Sequence, residues 1–148
     1  MIRISIACPQ ETVPIDRGQI RQIVRTVLEG EGIREGEVSV AFVDNATIHQ
    51  LNKRYLNHDE PTDVLSFPLS EPNERRLAGE LVIGAEVARA EAAERGHDVA
   101  AELALYVIHG LLHLCGYDDK TEEKAKEMRG RERHYLKEVG LPDIASAE

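Results

Sequence analysis

At 148 residues, with 42% hydrophobic and 30% charged residues, the chain falls in the range of one globular domain with enough apolar content for its own core. Eighteen basic against 27 acidic residues leave a formal charge of −9. That excludes a protein that coats nucleic acid by general counterion release, though not an RNA enzyme with a local basic rim. Tryptophan is absent and aromatics make up 4%, so the core is expected to be aliphatic.

Residues 2–8 alternate Ile with Arg and Ser, the period of a strand, and Pro9 ends it. No apolar segment near the N-terminus has the length of a signal peptide or membrane span, which leads to the expectation of a cytoplasmic protein with no membrane partner. In that compartment Cys8 and Cys115 are expected to be reduced packing residues. Asp16 is placed to cap a helix to about Leu28, with Ile20, Ile23, Val24, Val27 and Leu28 on one buried face and Gly30 and Gly32 at its end. Val38, Val40 and Phe42 alternate in a second strand over 37–43. Asp44 or Asn45 then caps a short helix carrying Ile48, Leu51 and Tyr55.

A polar loop with Pro61, Thr62 and Asp63 feeds a brief apolar strand at Val64, Leu65 and Phe67. Residues 69–76 have the composition of a loop, and 77–84 read as a strand closed by Gly84. The Ala- and Glu-rich run 85–95 is predicted to be helical, with Gly96 ending it. Asp98 is expected to cap the next helix, whose apolarity is almost all-round and which is therefore the central buried one. Thr121 is positioned to cap a charged helix from Glu122 to Glu138, with Ala125, Met128, Tyr135 and Leu136 as a modest inner stripe and His134 on its surface. Gly140 and Pro142 stop it, and residues 141–148 are expected to fray.

The far end of the central helix carries the chemistry. His109 and His113, four residues apart, place two imidazoles about 40° apart on one helical face, the way a helix offers two nitrogens to one metal ion. Gly116 stands where a helix needs a left-handed C-terminal residue, so the chain can turn back and bring Asp119 toward the same ion. Two histidines at this spacing are common by chance. An apolar helix around them, a helix-ending Gly and an acidic pair behind it are harder to explain as packing. Cys115, two positions beyond His113, lies on the wrong side of the helix to join them. The spacing is also that of metzincin peptidases, but Gly110 occupies the position where those enzymes place their catalytic Glu.

From His109 to Asp118 the chain instead resembles the YbeY family of bacterial metal-dependent endoribonucleases, also called rRNA maturation factors, whose signature reads His-Gly-x-Leu-His-Leu-x-Gly-Tyr-Asp-His. Where that signature has its last His, this chain has Asp119. The family's second motif, Leu-Asn-x-x-Tyr-Arg-x-x-Asp-x-Pro-Thr-Asp-Val-Leu-Ser-Phe, is matched by Leu51, Asn52, Tyr55, Asp59 and the run from Pro61 to Phe67. Its Arg, to which a catalytic or RNA-contacting role is attributed, aligns with Leu56. Arg54 and His58 are the nearby candidates for that work.

The resulting expectation is one α+β domain over 1–148: a small mixed four-stranded sheet with about five helices around a central helix that carries the metal ligands. His109, His113 and Asp119 would hold one divalent metal ion, zinc being the expected identity, with oxygen for nitrogen shifting preference toward harder ions. The resemblance implies a single-strand-type endoribonuclease acting in late rRNA maturation, at the end processing of small-subunit rRNA, and in ribosome quality control, on an rRNA precursor at the ribosome, with a ribosomal protein or GTPase to deliver it. The general base is unassigned, and Asp118 is left between orienting a ligand and facing solvent. Two other readings are a metzincin-like metallopeptidase and a non-catalytic, metal-stabilised ribosome-associated protein.

Overall fold

A computed structural model describes residues 1–56, 63–71 and 76–145. The elements run β1 (Ile2–Ala7), α1 (Arg17–Gly30), β2 (Glu35–Val43), α2 (Asn45–Leu56), β3 (Val64–Pro68), β4 (Arg76–Gly84), α3 (Ala85–Arg95), α4 (Val99–Leu114) and α5 (Glu122–Glu138). The strands form one mixed sheet in the order β1-β2-β4-β3. The β1–β2 and β2–β4 pairs are parallel and β3–β4 is antiparallel. The α+β architecture, with five helices and α4 at its centre, is the expected one.

Strand periodicity divides the apolar residues between two faces. On one face Val38, Val40, Phe42, Leu77, Leu81 and Ile83 join α1 and α4 in the main core. On the other, Val43 and Leu65 meet Ile48 of α2 in a smaller cluster. α4 is buried along nearly its whole length, and each fully buried Leu, Ile or Val there contributes about 1.5–3 kcal/mol relative to exposure. That is why this helix, rather than a surface one, fixes the site at its end. Along β1, Arg17 and Arg21 of α1 donate to the carbonyls of Ile6 and Ile4 at 2.7 and 2.9 Å, which blunts an edge strand.

The caps follow the sequence at most ends. Asp16 Oδ1 accepts from the Gln19 amide at 3.1 Å and Thr121 Oγ1 from the Lys124 amide at 3.1 Å. Asp44 rather than Asn45 caps α2, its Oδ1 accepting from the Thr47 amide at 2.8 Å, while the Asn45 amide donates to Glu86.

Two expectations need correction. Asp98 precedes α4, but its side chain makes no capping bond; its main-chain carbonyl accepts from Ala101 and Glu102 instead. The almost all-round apolarity of α4 holds, with Glu102 fully buried in it, its Oε1 3.9 Å from Arg95 Nη1 and 4.0 Å from His97 Nε2. Ile144 and Ala145, placed in a frayed tail by composition, are 4% and 5% exposed and belong to the main core. Apolar side chains at the end of a chain stay ordered when the fold leaves them a place to bury. Cys8 and Cys115 are both free thiols.

Candidate metal centre

His109 and His113 share one face of α4 near its C-terminal end, and Gly116 ends that helix in a left-handed conformation, φ 102°. The Tyr117 amide reaches back to the Leu112 carbonyl at 3.0 Å and the Gly116 amide to His113 at 3.0 Å. This double bond pattern closes the helix and turns the chain sharply, so that 117–119 fold back alongside His113. The result brings one donor atom from each of His109, His113 and Asp119 within 4.8 Å of one another. The two imidazole Nε2 atoms stand 3.0 Å apart, close to the separation of about 3.3 Å that two nitrogens bound to one tetrahedral zinc would have. The donor chemistry and spacing fit a divalent cation. Among the described residues the cluster holds three donors, which leaves a tetrahedral ion one position for water or substrate. Both histidines are half-buried and Asp119 is exposed, so the cluster opens to solvent on the carboxylate side.

Behind the cluster stands a residue that the sequence reading missed. Glu132 of α5, 6% exposed, places Oε2 2.6 Å from His109 Nδ1. A carboxylate there fixes the ring and its tautomer, with Nδ1–H donating and Nε2 left to bind a cation. The signal was present: Glu132 stands four residues after Met128 and three before Tyr135, on the apolar stripe of α5. An acidic residue on the buried face of a helix needs a partner.

The environment is anionic around one ring and less so around the other. Burial alone would lower the His109 pKa, but the hydrogen bond and charge of Glu132, with the charges of Asp63 and Asp119, outweigh it and hold it above its ordinary value. His113 is pushed down, by burial first and by the charge of His109 second, against the opposing pull of Asp119 and a hydrogen bond to the Tyr117 main chain. The negative charges of Glu132, Asp63 and Asp119 that act on His109 would equally favour a cation held between the rings.

A second network anchors the loop that carries Asp119. Glu31, just beyond α1, accepts from Arg131 Nη2 at 2.5 Å and from the Tyr135 hydroxyl, and Tyr117 also hydrogen-bonds to it. Gly30 has no side chain where the Tyr135 ring must pass. Asp118, partly exposed, pairs within its own turn: its Oδ1 accepts from the Lys120 amide at 3.0 Å and its Oδ2 lies 3.5 Å from Lys124 Nζ.

Of the two catalytic candidates, Arg54 is exposed in the last turn of α2. Its guanidinium carbon lies 5.4 Å from the centroid of the Tyr55 ring, and no contact among the described residues joins it to His109, His113 or Asp119. His58 lies outside the described residues. Gly110 is a packing residue as well as a missing carboxylate. A Cβ there would stand 2.7 Å from Leu81 Cδ2 and 3.1 Å from Val64 Cγ2. The helix thus approaches β3 and β4 where a glutamate side chain would have no room, which weighs against the metzincin arrangement.

The chain is similar to known proteins over most of its length. A sequence model of the family Endoribonuclease YbeY matches residues 5–140. An Endoribonuclease YbeY of Bacillus cereus is 41% identical over 133 residues, covering 82% of this chain and 85% of its own. One from Carboxydothermus hydrogenoformans is 42% identical over 135 residues, covering 89% and 94%. A solution structure of a Thermotoga maritima protein superposes with a TM-score of 0.64 at 31% identity, covering 94% of this chain and 89% of that one.

Proposed function

Because the chain belongs to the YbeY endoribonuclease family, we propose that it hydrolyses the RNA phosphodiester backbone at the cluster of His109, His113 and Asp119. The observation that carries this reading is the pair of Nε2 atoms 3.0 Å apart with Asp119 closing on them. A divalent cation held there, zinc in this proposal, supplies Lewis acidity toward a phosphate oxygen and a water.

The remaining work falls to the protein's own groups. Glu132 holds the His109 ring so that Nε2 stays directed at the cluster, and the Tyr117 main chain steadies His113. Glu31 ties Tyr117 to α1 and α5, which keeps the turn bearing Asp119 from drifting. Exposure of Asp119 leaves room on that side for a polymeric substrate, whereas a closed structural metal site would surround its ion with four protein donors. His58 is the proposed participant in proton transfer. At the level of biology we propose an rRNA precursor as substrate, in late small-subunit rRNA maturation and ribosome quality control in the cytoplasm. A ribosomal protein or GTPase would deliver it. Among the described residues no helix is long and apolar enough to cross a membrane.

The test is cleavage of a structured RNA and of casein by one purified, metal-analysed sample, with and without chelator. RNA cleavage that stops on chelation and returns with added zinc or manganese is expected. Casein cleavage with intact RNA would overturn the proposal.

A further inference from the structure

An acidic enzyme acting on a polyanion needs local means of holding it. The chain has four Tyr, two Phe and no Trp, and half of these rings are buried: Phe42, Tyr106 and Tyr135 are 0%, 6% and 1% exposed. Tyr55 is the exception at 56%. Its ring stands edge-to-face with the half-buried ring of Phe67, centroids 5.6 Å apart at 75°, which fixes its orientation at little cost in side-chain freedom. Arg54 lies over the same ring at 5.4 Å, so a guanidinium and an exposed aromatic ring are held together at the end of α2.

The pair and the cation cluster flank the same strand. β3, the last strand in the sheet order, is preceded by Asp63, whose charge is felt by His109. Its Ser66 hydroxyl lies 3.4 Å from the Gly110 carbonyl, next to His109. Phe67 follows Ser66 and points to the opposite face, among the α2-side residues. One short strand therefore has the cluster at one side and the aromatic pair at the other. A strand of nucleic acid crossing it could reach both.

We infer that Tyr55, braced by Phe67, is a stacking platform for an unpaired base of the RNA substrate, and that Arg54 takes the adjoining phosphate. This rests on the endoribonuclease reading, with its single-strand substrate, and deepens it by naming the residues that would hold that strand. A ring face accepts any base and so holds a strand without reading sequence, while a neighbouring arginine supplies the phosphate contact. A base inside a duplex is stacked on its neighbours and cannot reach the ring. Arg54 is thereby a binding residue, not the source of transition-state charge.

The experiment uses metal-free full-length protein and a fluorescein-labelled single strand of roughly ten ribonucleotides, with the duplex of the same length beside it. Tyr55→Ala should weaken single-strand binding about tenfold while Tyr55→Phe stays within about twofold, since the ring and not the hydroxyl does the stacking. Duplex binding should be unmoved by either change. Arg54→Ala should weaken binding and reduce the salt slope by about one. In cleavage by the metal-loaded enzyme, Tyr55→Ala should raise KM with kcat kept. Unchanged single-strand affinity in Tyr55→Ala, or an equal loss in Tyr55→Phe, overturns the platform. If the wild type still cleaves RNA in that case, the endoribonuclease reading stands without it. A metal-loaded wild type that cleaves no single strand overturns both.

Discussion

Glu132 Oε2 lies 2.6 Å from His109 Nδ1 across 23 residues of chain, which makes α5 the support of a ligand that α4 presents. The sharp turn at Gly116 is what lets α5 return along α4 and reach that depth. Removing the carboxylate should therefore act on the cation through the ring. Glu132→Ala is expected to lower zinc affinity by roughly 10–100-fold. Glu132→Gln, whose amide oxygen can still accept from Nδ1–H, should lose less. Zinc titration of the purified variants by calorimetry checks this, and equal affinity in Glu132→Ala and wild type would refute it.

Asp119 is exposed and contributes no packing to the core, so its loss should leave the metal-free fold intact. Asp119→Ala is expected to reduce zinc content and to shrink the rise in Tm that saturating zinc gives the wild type, since a ligand stabilises the fold in proportion to the logarithm of its saturation. Loss of a direct ligand should exceed the roughly 10–100-fold effect typical of an outer partner. Unaltered metal content and an unaltered zinc-dependent Tm would remove Asp119 from the site.

The Glu31 carboxyl gives the fold an acid sensitivity. Burial raises its pKa, but hydrogen bonds from Tyr135, Arg131 and Tyr117 together outweigh it and hold the group below its ordinary value. A depressed carboxyl stabilises the folded state when ionised, so the contribution is complete above the unfolded value near 4.5. It disappears as pH falls through the lower folded value. Glu31→Gln should therefore be less stable than wild type at pH 7, and the gap should narrow as pH falls below 4.5 and through the lower folded value. Urea denaturation across that range reads the difference, and a gap independent of pH would contradict the assignment.

Gly36 sits in β2 between Ile2 of β1 and Leu77 of β4, where an added Cβ would collide with the Leu77 carbonyl oxygen. A main-chain atom in the middle of a sheet cannot move aside as a side-chain end can. Gly36→Ala is expected to destabilise by about 2–3 kcal/mol, toward the upper end for overpacking, as measured by urea midpoint at constant slope. A Gly32→Ala comparison, where no atom lies near but φ is +81°, should cost less, about 1 kcal/mol, from backbone strain alone.

Much of this molecule was legible in its residues because the signals are local. Alternation in 37–43, the stripe Ile20, Ile23, Val24, Val27 and Leu28, the caps at Asp16 and Thr121 and the left-handed Gly116 each act within one or two turns of chain, where backbone geometry alone relates the residues. The pairing of His109 with His113 belongs to the same class, since helical periodicity fixes it without reference to anything else. What the sequence could not supply was every relationship between elements. Glu102, unremarked in a helix read as apolar, is buried beside Arg95 and His97, and Ile144 and Ala145 read as a tail until the core offered them a place. Glu132 became the partner of His109, and Tyr55 an exposed ring braced by Phe67, only when helices and strands distant in sequence were packed. Chain order sets which groups share a face; burial and the free energy of desolvating a charge decide which of those faces meet.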